Sequence, residues 1–209
     1  MTGVSRVPTF RLYLVTDRRI RPDLPTAVDR ALCAIPRGAA AVQLREKDLS
    51  ARELFELARA LREVTARHGA PLLVNERLDV ARAAGADGVH LRRASLDCAD
   101  ARTFLGEVAW IGASCHSLAE LDERAGADFA TFSPIFASPG KGEPLGLDAL
   151  AEAARISRLP LFALGGVSAE RIPEVLAAGA FGVAAIRAWL DGDPAESTRR
   201  LWKPFEKAS

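Results

Sequence analysis

The densest group of chemically capable side chains lies at residues 43–47, which read Gln-Leu-Arg-Glu-Lys. If this segment ends a β-strand, Gln43, Arg45 and Lys47 point in one direction, because side chains alternate along a strand. An amide and two cations then converge on one ligand, with arginine offering phosphate a bidentate fork and lysine a movable charge. A solvated polar strand end is the alternative, but inward polar groups are costly unless something binds them. The spacing therefore favours an anion site.

Polar side chains also stand at the ends of three later apolar runs. Asn75 and Glu76 follow one run, His90 ends the next, and Ser114 ends a third. A single histidine or serine is more often structural than catalytic. Catalytic residues of parallel β/α folds do come from strand C-termini, however, so the shared position carries weight. We predict that these side chains line the same site.

A long loop follows at residues 133–146, with three prolines, three glycines, Ser138 and a single lysine, Lys141. Loops of this length in a compact domain are usually functional, and many cover a ligand. A floppy connection is the alternative, which the lysine near the loop's tip makes weaker.

Gly165 and Gly166 end another apolar run, ahead of a helix predicted to begin near Ala169. Glycines bring backbone N–H groups close to a ligand, and a helix N-terminus favours an anion. Arg187, after the last predicted strand, either completes this anion cup or covers the helix that follows. The chain thus has two cationic regions, one with Arg45, Lys47 and Lys141 and the other with the glycine pair and Arg187. Two such regions suit two phosphorylated groups, as when two substrates are joined.

The elements that position these residues are indicated by an internal repeat. Gly38, Gly85, Gly126 and Gly179 each begin a Gly-Ala pair before an apolar stretch, and each suits a left-handed helix end. The four stretches alternate with further apolar runs at residues 12–15, 71–74, 110–113 and 161–164, and amphipathic helices are predicted at 51–67, 147–156 and 169–177.

Eight strands alternating with helices predict a single (β/α)8 TIM barrel, with the site at the strand C-termini. A flat doubly wound sheet is the alternative, but it does not predict the fourfold repeat. We expect one domain over residues 1–209, with the barrel at about 11–190 and a C-terminal helix at about 194–207.

The composition limits the classes of molecule that the protein is expected to bind. Lys plus Arg number 28 and Asp plus Glu 27, so no global charge favours nucleic acid or a membrane surface. The three cysteines are widely spaced and include no CxxC pair, which argues against a disulfide framework and against a zinc site. The first ten residues lack the apolar core of a signal peptide. We expect a cytoplasmic protein with small phosphorylated substrates, and a homo-oligomer stays open.

Several segments together resemble the thiamine-phosphate synthase and thiazole tautomerase family, in order from about residue 11 to 190. These segments are residues 12–17, 42–47, 85–91, 133–136 and 165–166. The resemblance implies a transferase of thiamine biosynthesis that joins hydroxymethylpyrimidine diphosphate to thiazole phosphate and releases pyrophosphate. The implied step is dissociative: pyrophosphate leaves, a pyrimidine methylene cation forms, and the thiazole nitrogen attacks it.

The same resemblance implies a role for each matching residue. Ser114 and His90 would lie beside the pyrimidine, Gly165 and Gly166 would hold the thiazole phosphate, and Ser138 matches a loop hydroxyl. Arg45, Ser114 and Lys141 are the candidate catalytic residues. The pyrophosphate end would be held by Gln43, Arg45, Lys47, Asn75 and Lys141.

The chain departs from the family pattern at its metal site. The family's paired aspartates correspond to Glu76 and Ser95, which leaves Glu76 as the candidate ligand for Mg2+, with Asp97 close in sequence. Arg92 or Arg93 could supply part of the missing positive charge.

Two departures lie elsewhere. Arg187 replaces a serine of the phosphate cup, and Gly140 replaces a second loop hydroxyl. Three functions stay open: a synthase with an altered metal site, a tautomerase-like paralogue, or a non-catalytic protein that binds thiamine phosphate. Pro134 stands where the tautomerase has its catalytic histidine.

Overall fold

Eight parallel strands form a closed barrel in the computed structural model, which describes residues 7–206. They follow sequence order around the barrel, and the last pairs with the first, Leu12 opposite Val183. Every residue of most strands is buried, as expected where helices cover a parallel sheet. The predicted (β/α)8 barrel is confirmed. The strands are β1 (Leu12–Val15), β2 (Ala40–Leu44), β3 (Leu72–Asn75), β4 (Gly88–Leu91), β5 (Trp110–Cys115), β6 (Phe129–Phe132), β7 (Leu161–Ala163) and β8 (Gly182–Ala185).

Helices connect the strands on the outside of the barrel. They are α1 (Leu24–Cys33), α2 (Ala51–Arg67), α3 (Leu78–Ala84), α4 (Cys98–Leu105), α5 (Leu118–Glu123), α6 (Gly146–Ile156), α7 (Ile172–Ala177), α8 (Arg187–Leu190) and α9 (Pro194–Glu206). The second helix begins where predicted because Ser50 and Glu53 form a capping box. None of the described helices is long and apolar enough to cross a membrane.

The helix predicted at residues 169–177 is divided in the structure. A three-residue 3-10 turn, Ala169–Arg171, precedes α7. Pro173 lies in the first turn of α7, where its missing N–H costs nothing, so the α-helix begins at Ile172. The predicted helical segment at residues 169–177 is therefore confirmed in its bounds, and its first turn is a 3-10 helix instead of an α-helix.

The glycine repeat marks helix-to-strand turns, with one exception. Gly38, Gly85 and Gly179 have φ of 74°, 65° and 90°, in the left-handed region. Gly126 does not, so the left-handed prediction is wrong there. The chain turns instead through a hydrogen bond from Ala127 N to Arg124 O of 2.9 Å, which needs no left-handed residue.

The aspartates of the two middle repeats stabilise strand starts. The Asp87 carboxylate accepts a hydrogen bond from Leu72 N of 2.8 Å, and Asp128 accepts one from Ile111 N of 2.7 Å. Arg102 also contacts Asp128 at 3.1 Å. These carboxylates lie at the N-terminal end of the barrel, so we assign them to the scaffold.

An aromatic cluster fills the barrel interior below the strand C-termini. The rings of Phe10, Phe129 and Phe162 lie with centroids 5.3 to 5.5 Å apart, and Tyr13 packs on Phe129 at 5.2 Å. All four are fully buried. The interior is therefore closed, and ligands can approach only from above this floor.

Residues 1–6 lie outside the described residues, so the expectation about a signal peptide is not tested there. Residue 207, the expected end of the C-terminal helix, also lies outside them.

Candidate active site

A hydrogen-bonded chain rises from the aromatic floor toward the strand C-termini. Tyr13 Oη lies 3.2 Å from His90 Nδ1, and His90 Nε2 lies 2.9 Å from Ser114 Oγ. His90 is only 2% exposed, whereas Ser114 is partly exposed. Burial, then the charge of Arg45, lowers the pKa of His90 to about 3. The imidazole is therefore neutral at physiological pH.

The network allows an arrangement of protons in which the Ser114 hydroxyl faces the mouth. Burial raises the pKa of Tyr13 well above its ordinary value, so the phenol stays protonated and can donate to Nδ1. A neutral imidazole that accepts at Nδ1 carries its proton on Nε2 and donates it to Ser114 Oγ. We infer that His90 orients Ser114, whose own hydroxyl proton is then free to point into the mouth.

Two amides lie beside this chain on neighbouring strands. Gln43, 3% exposed, donates from Nε2 to Asn75 Oδ1 at 3.1 Å. This contact fixes the Asn75 amide and leaves its NH2 group as a donor to a ligand. The strand-end positions of both residues agree with the expected inward direction.

Four cations share one electrostatic environment above these amides. The pKa of Lys47 is lowered first by the charge of Arg45, then by partial burial, and then by the charges of Arg92 and Lys141. Burial also lowers the pKa of Arg45, although a guanidinium stays charged at neutral pH. Side chains from the end of β2, from the loop after β4 and from the loop after β6 therefore act on the same region.

Glu76 faces these cations from an unusual backbone. Its φ of 61° lies in the left-handed region, where a residue other than glycine is strained, and such strain clusters at functional sites. Ser95 donates to Glu76 Oε1 at 2.6 Å, and Arg92 Nε pairs with Oε2. Partial burial acts to raise the pKa of Glu76, but the bonds from Arg92 and Ser95 outweigh it and leave that pKa lowered. The carboxylate is ionised.

The two neighbouring arginines of the β4–α4 loop have different surroundings. Arg92 turns to Glu76, whereas Arg93 lies 3.3 Å from Glu120 and is 72% exposed. Asp97 is exposed before the first residue of α4. Of these residues, only Arg92 joins the cationic group.

The two glycines of the predicted phosphate cup lie beneath the loop that follows β6. Gly165 and Gly166 have φ of 97° and 64°. A Cβ on Gly165 would lie 2.8 Å from Pro134 Cα, and one on Gly166 would lie 2.7 Å from Ala137 O. The loop after β6 therefore packs directly over this pair, and any larger side chain would displace it.

The base of that loop is fixed by backbone hydrogen bonds. Phe136 N donates to Gly165 O at 3.0 Å, and Ser138 Oγ donates to Phe136 O at 3.3 Å. Lys141, nearer the tip, is exposed, as is Arg187 at the start of α8. Because β7 and β8 are paired neighbours, the glycine pair and Arg187 follow adjacent strand ends.

The sequence interpretation missed a support beneath Arg45. Buried Glu46 accepts from Thr16 Oγ1 at 2.6 Å and from Arg18 N at 3.0 Å. Thr16 Oγ1 in turn accepts from Arg45 N at 2.9 Å. The alternation in residues 43–47 could have indicated that Glu46 points away from its neighbours, but its partners come from the loop after β1.

Two surface hollows lie elsewhere. One, of about 300 Å³, is lined by residues near the start of α7 and by residues of α9. The other, of about 180 Å³, lies beside α1. Their linings contain none of the predicted site residues. We assign the site to the barrel mouth because convergent polar groups, a buried neutral histidine and a strained carboxylate occur together there.

Comparison with known proteins agrees with this architecture. A family model described as thiamine monophosphate synthase matches residues 12–189. A Geobacter sulfurreducens relative is 50% identical over 200 residues, which is 92% of each chain. Thiamine-phosphate synthase from Methanoculleus marisnigri is 44% identical over 198 residues, covering 92% of this chain and 93% of the relative.

A solved structure extends the comparison to three dimensions. Thiamine phosphate pyrophosphorylase from Pyrococcus furiosus superposes with a TM-score of 0.86 at 33% identity, over 96% of this chain and 97% of that one. The chain belongs to the thiamine monophosphate synthase family.

Proposed function

We propose that the protein is a thiamine-phosphate synthase, which joins hydroxymethylpyrimidine diphosphate to thiazole phosphate and releases pyrophosphate. The observation that carries the proposal is the group of four cations, Arg45, Lys47, Arg92 and Lys141, at one barrel mouth. Such a group matches the negative charge that grows on a departing diphosphate.

Among the described residues, neither the buried histidine nor the cysteine at the strand ends is an activated nucleophile. His90 is neutral and buried, with a pKa of about 3. Burial, then the charge of Glu120, raises the pKa of Cys115 to about 12, so its thiol stays protonated. These properties favour a reaction in which the second substrate supplies the nucleophile, as the thiazole nitrogen does here.

Catalysis then depends on charge stabilisation and positioning. The backbone N–H of Arg45 donates to Thr16 Oγ1, which fixes the strand end that carries this side chain. The half-buried Arg45 would stabilise the charge that grows as the C–O bond to the diphosphate breaks. Ser114 would orient the pyrimidine end, and the NH2 group of Asn75, whose oxygen accepts from Gln43, would donate to the diphosphate. Gly165, Gly166 and Arg187 would hold the thiazole phosphate so that its ring nitrogen faces the methylene carbon.

The family relationship implies Mg2+, and the candidate ligand for it at the barrel mouth is Glu76. Mg2+ binds through one or two carboxylates together with substrate phosphate oxygens. Glu76 supplies one ionised carboxylate beside the cationic group, and Ser95 holds it in place. We propose that Glu76 would hold Mg2+ with the diphosphate, with Arg92 released from the carboxylate. The metal would neutralise charge on the leaving group.

Competition between Arg92 and Mg2+ for Glu76 gives a prediction. Arg92 is 51% exposed, and ion pairs of this kind contribute about 1 kcal/mol at most. Arg92→Met should therefore lower the half-saturating Mg2+ concentration by up to about fivefold. Glu76→Gln should raise it by more than about tenfold, since it removes the charged ligand. Initial rates across a Mg2+ titration measure both.

Arg93→Met is the matched control, because Arg93 faces Glu120 and should leave the Mg2+ dependence unchanged. Ser95→Asp places a second carboxylate next to Glu76 and should also lower the half-saturating concentration. An unchanged Mg2+ dependence in Glu76→Gln would show that the metal is held elsewhere.

The proposed function is tested by mixing purified protein, Mg2+ and both substrates and following thiamine phosphate. Stoichiometric release of pyrophosphate is expected. Tight binding of thiamine phosphate without turnover would favour a binding protein instead, and isomerisation of a thiazole carboxylate would favour a tautomerase. No observation favours the tautomerase, because Pro134 is buried and carries no acid or base.

Expectations about the wider setting stay predictions. These are the cytoplasmic location, a possible homo-oligomer, the absence of nucleic-acid and membrane partners, and the extent of the single domain.

A further inference from the structure

Three potential metal ligands converge at the opposite end of the barrel from the proposed active site. Asp29 and Cys33 lie one turn apart on α1, so they share a helix face. His68 directly follows the last residue of α2, which packs beside α1. The ligand atoms of the three side chains all lie within 4.8 Å of one another.

The contacts differ from those of a Cys-His-Asp catalytic triad. In a triad the acid and the nucleophile use different nitrogens of the imidazole. Here His68 Nε2 faces both partners: it lies 2.8 Å from Asp29 Oδ1 and 3.9 Å from Cys33 Sγ. One oxygen, one nitrogen and one sulfur thus point at a common centre, as ligands of a single ion do.

The local structure holds these groups in place. The His68 backbone N–H donates to Thr65 O at 3.1 Å, and its carbonyl accepts from Gly38 N at 3.2 Å. The Asp29 carboxylate also accepts from Arg67 Nη2 at 3.1 Å. Cys33 is exposed, whereas the other two cysteines are buried. The Cys33 thiol is therefore the accessible one.

We propose that Asp29, Cys33 and His68 bind Zn2+, with water as the fourth ligand. Thiolate, imidazole and carboxylate are its usual ligands, and three protein ligands leave one open tetrahedral position. Binding would require rotations of the three side chains that bring their atoms, now within 4.8 Å of one another, to coordination distance. Arg67, which contacts Asp29 at 3.1 Å and is 62% exposed, has room to move away. The ion links the C-terminal ends of α1 and α2.

The test uses metal-stripped, tag-free protein titrated with Zn2+ by calorimetry and with Co2+ by absorption spectroscopy. We expect one equivalent of Zn2+ to bind and raise the Tm. The Co2+ form should show thiolate charge-transfer absorption. Cys33→Ser should abolish that absorption, and Cys33→Ser and His68→Asn should each weaken Zn2+ binding by about 100-fold or more. Asp29→Asn should weaken it less.

His116→Asn is the matched control, because His116 is exposed at the other end of the barrel and its loss should leave Zn2+ affinity unchanged. Equal Zn2+ affinity in Cys33→Ser, His68→Asn and the original protein would overturn the proposal, as would a Co2+ spectrum without thiolate absorption. Synthase activity plays no part in these measurements, so a failed assay for thiamine phosphate leaves this site unaffected.

Discussion

Replacement of Arg45 by methionine should lower kcat for thiamine phosphate formation by about 100- to 1,000-fold, the range seen when one preorganised charge-stabilising group is removed. Arg45 is half-buried, so its charge acts through a medium less polarisable than water and is less screened by salt. Methionine keeps the apolar stem and removes only the guanidinium. Single-turnover rates at saturating substrate measure the effect.

The matched control for Arg45→Met is Arg93→Met, which removes a guanidinium from an exposed loop of the same barrel end. It should change kcat by less than about twofold. Arg45→Lys keeps the charge but loses the bidentate fork, so an intermediate rate is expected. A normal rate in Arg45→Met, with the fold intact by circular dichroism, would remove this residue from the proposed site.

Exposed cations of the same group should matter less and should depend more on salt. Lys141 and Lys47 are both exposed, in contrast to Arg45. Their attraction for the diphosphate is therefore screened at physiological ionic strength. This contrast explains why Arg45 is expected to have the largest effect among the four.

The second large effect concerns stability in acid. His90 has a pKa of about 3 in the folded protein, against 6.5 as its ordinary value. The unfolded chain therefore binds one more proton than the folded one between these two pH values. Its stabilising contribution is complete above the unfolded pKa and is lost progressively as pH falls toward the folded pKa.

This difference corresponds to a loss of about 2 kcal/mol in the free energy of unfolding by about pH 5, and about 4 kcal/mol by about pH 3. Urea denaturation of the original protein and of His90→Gln at several pH values measures it. The variant should lose the part of the pH dependence that belongs to this residue. At neutral pH it should be less stable by about 1–3 kcal/mol, because Tyr13 and Ser114 lose their partner.

His116→Asn is the control substitution for His90→Gln, since it removes an exposed histidine from the same strand end region. Should His90→Gln not fold, NMR titration of the His90 ring in the original protein gives the same answer. A ring that titrates near its ordinary pKa would contradict the buried neutral state.

The burial of His90 also predicts how kcat depends on pH. Because His90 stays neutral across the working range, it should contribute no inflection to the pH profile of kcat between about pH 5 and 9. A positioning role for this residue would appear instead as a lower kcat in His90→Gln, without a shift of the profile.

The barrel was predictable because it depends on patterns local to the chain. Buried parallel strands read as short apolar runs, and helix ends read as Gly-Ala pairs, so β1 and α2 were identified with their observed bounds. Strand C-termini meet at one end of a barrel whatever their distance in sequence. For this reason the sequence also indicated that Arg45, Asn75 and Ser114 belong to one region.

Side chains beyond the last strand residue were not predictable, because the period of two stops where the strand stops. Arg92 and Arg93 are equivalent in the sequence, yet only Arg92 pairs with Glu76. The left-handed backbone of Glu76 likewise has no sequence signal, since surrounding contacts must enforce such strain.

The sequence by itself determined the architecture of this protein, the end of the barrel that carries its site and the family to which its motifs point. Only the tertiary structure decided the protonation of His90 and the partner of Glu76, and it alone brought Asp29, Cys33 and His68 together. The physical reason is that strand and helix periodicity are local properties of the chain. Burial, charge and ligand geometry, in contrast, depend on groups that only folding brings into contact.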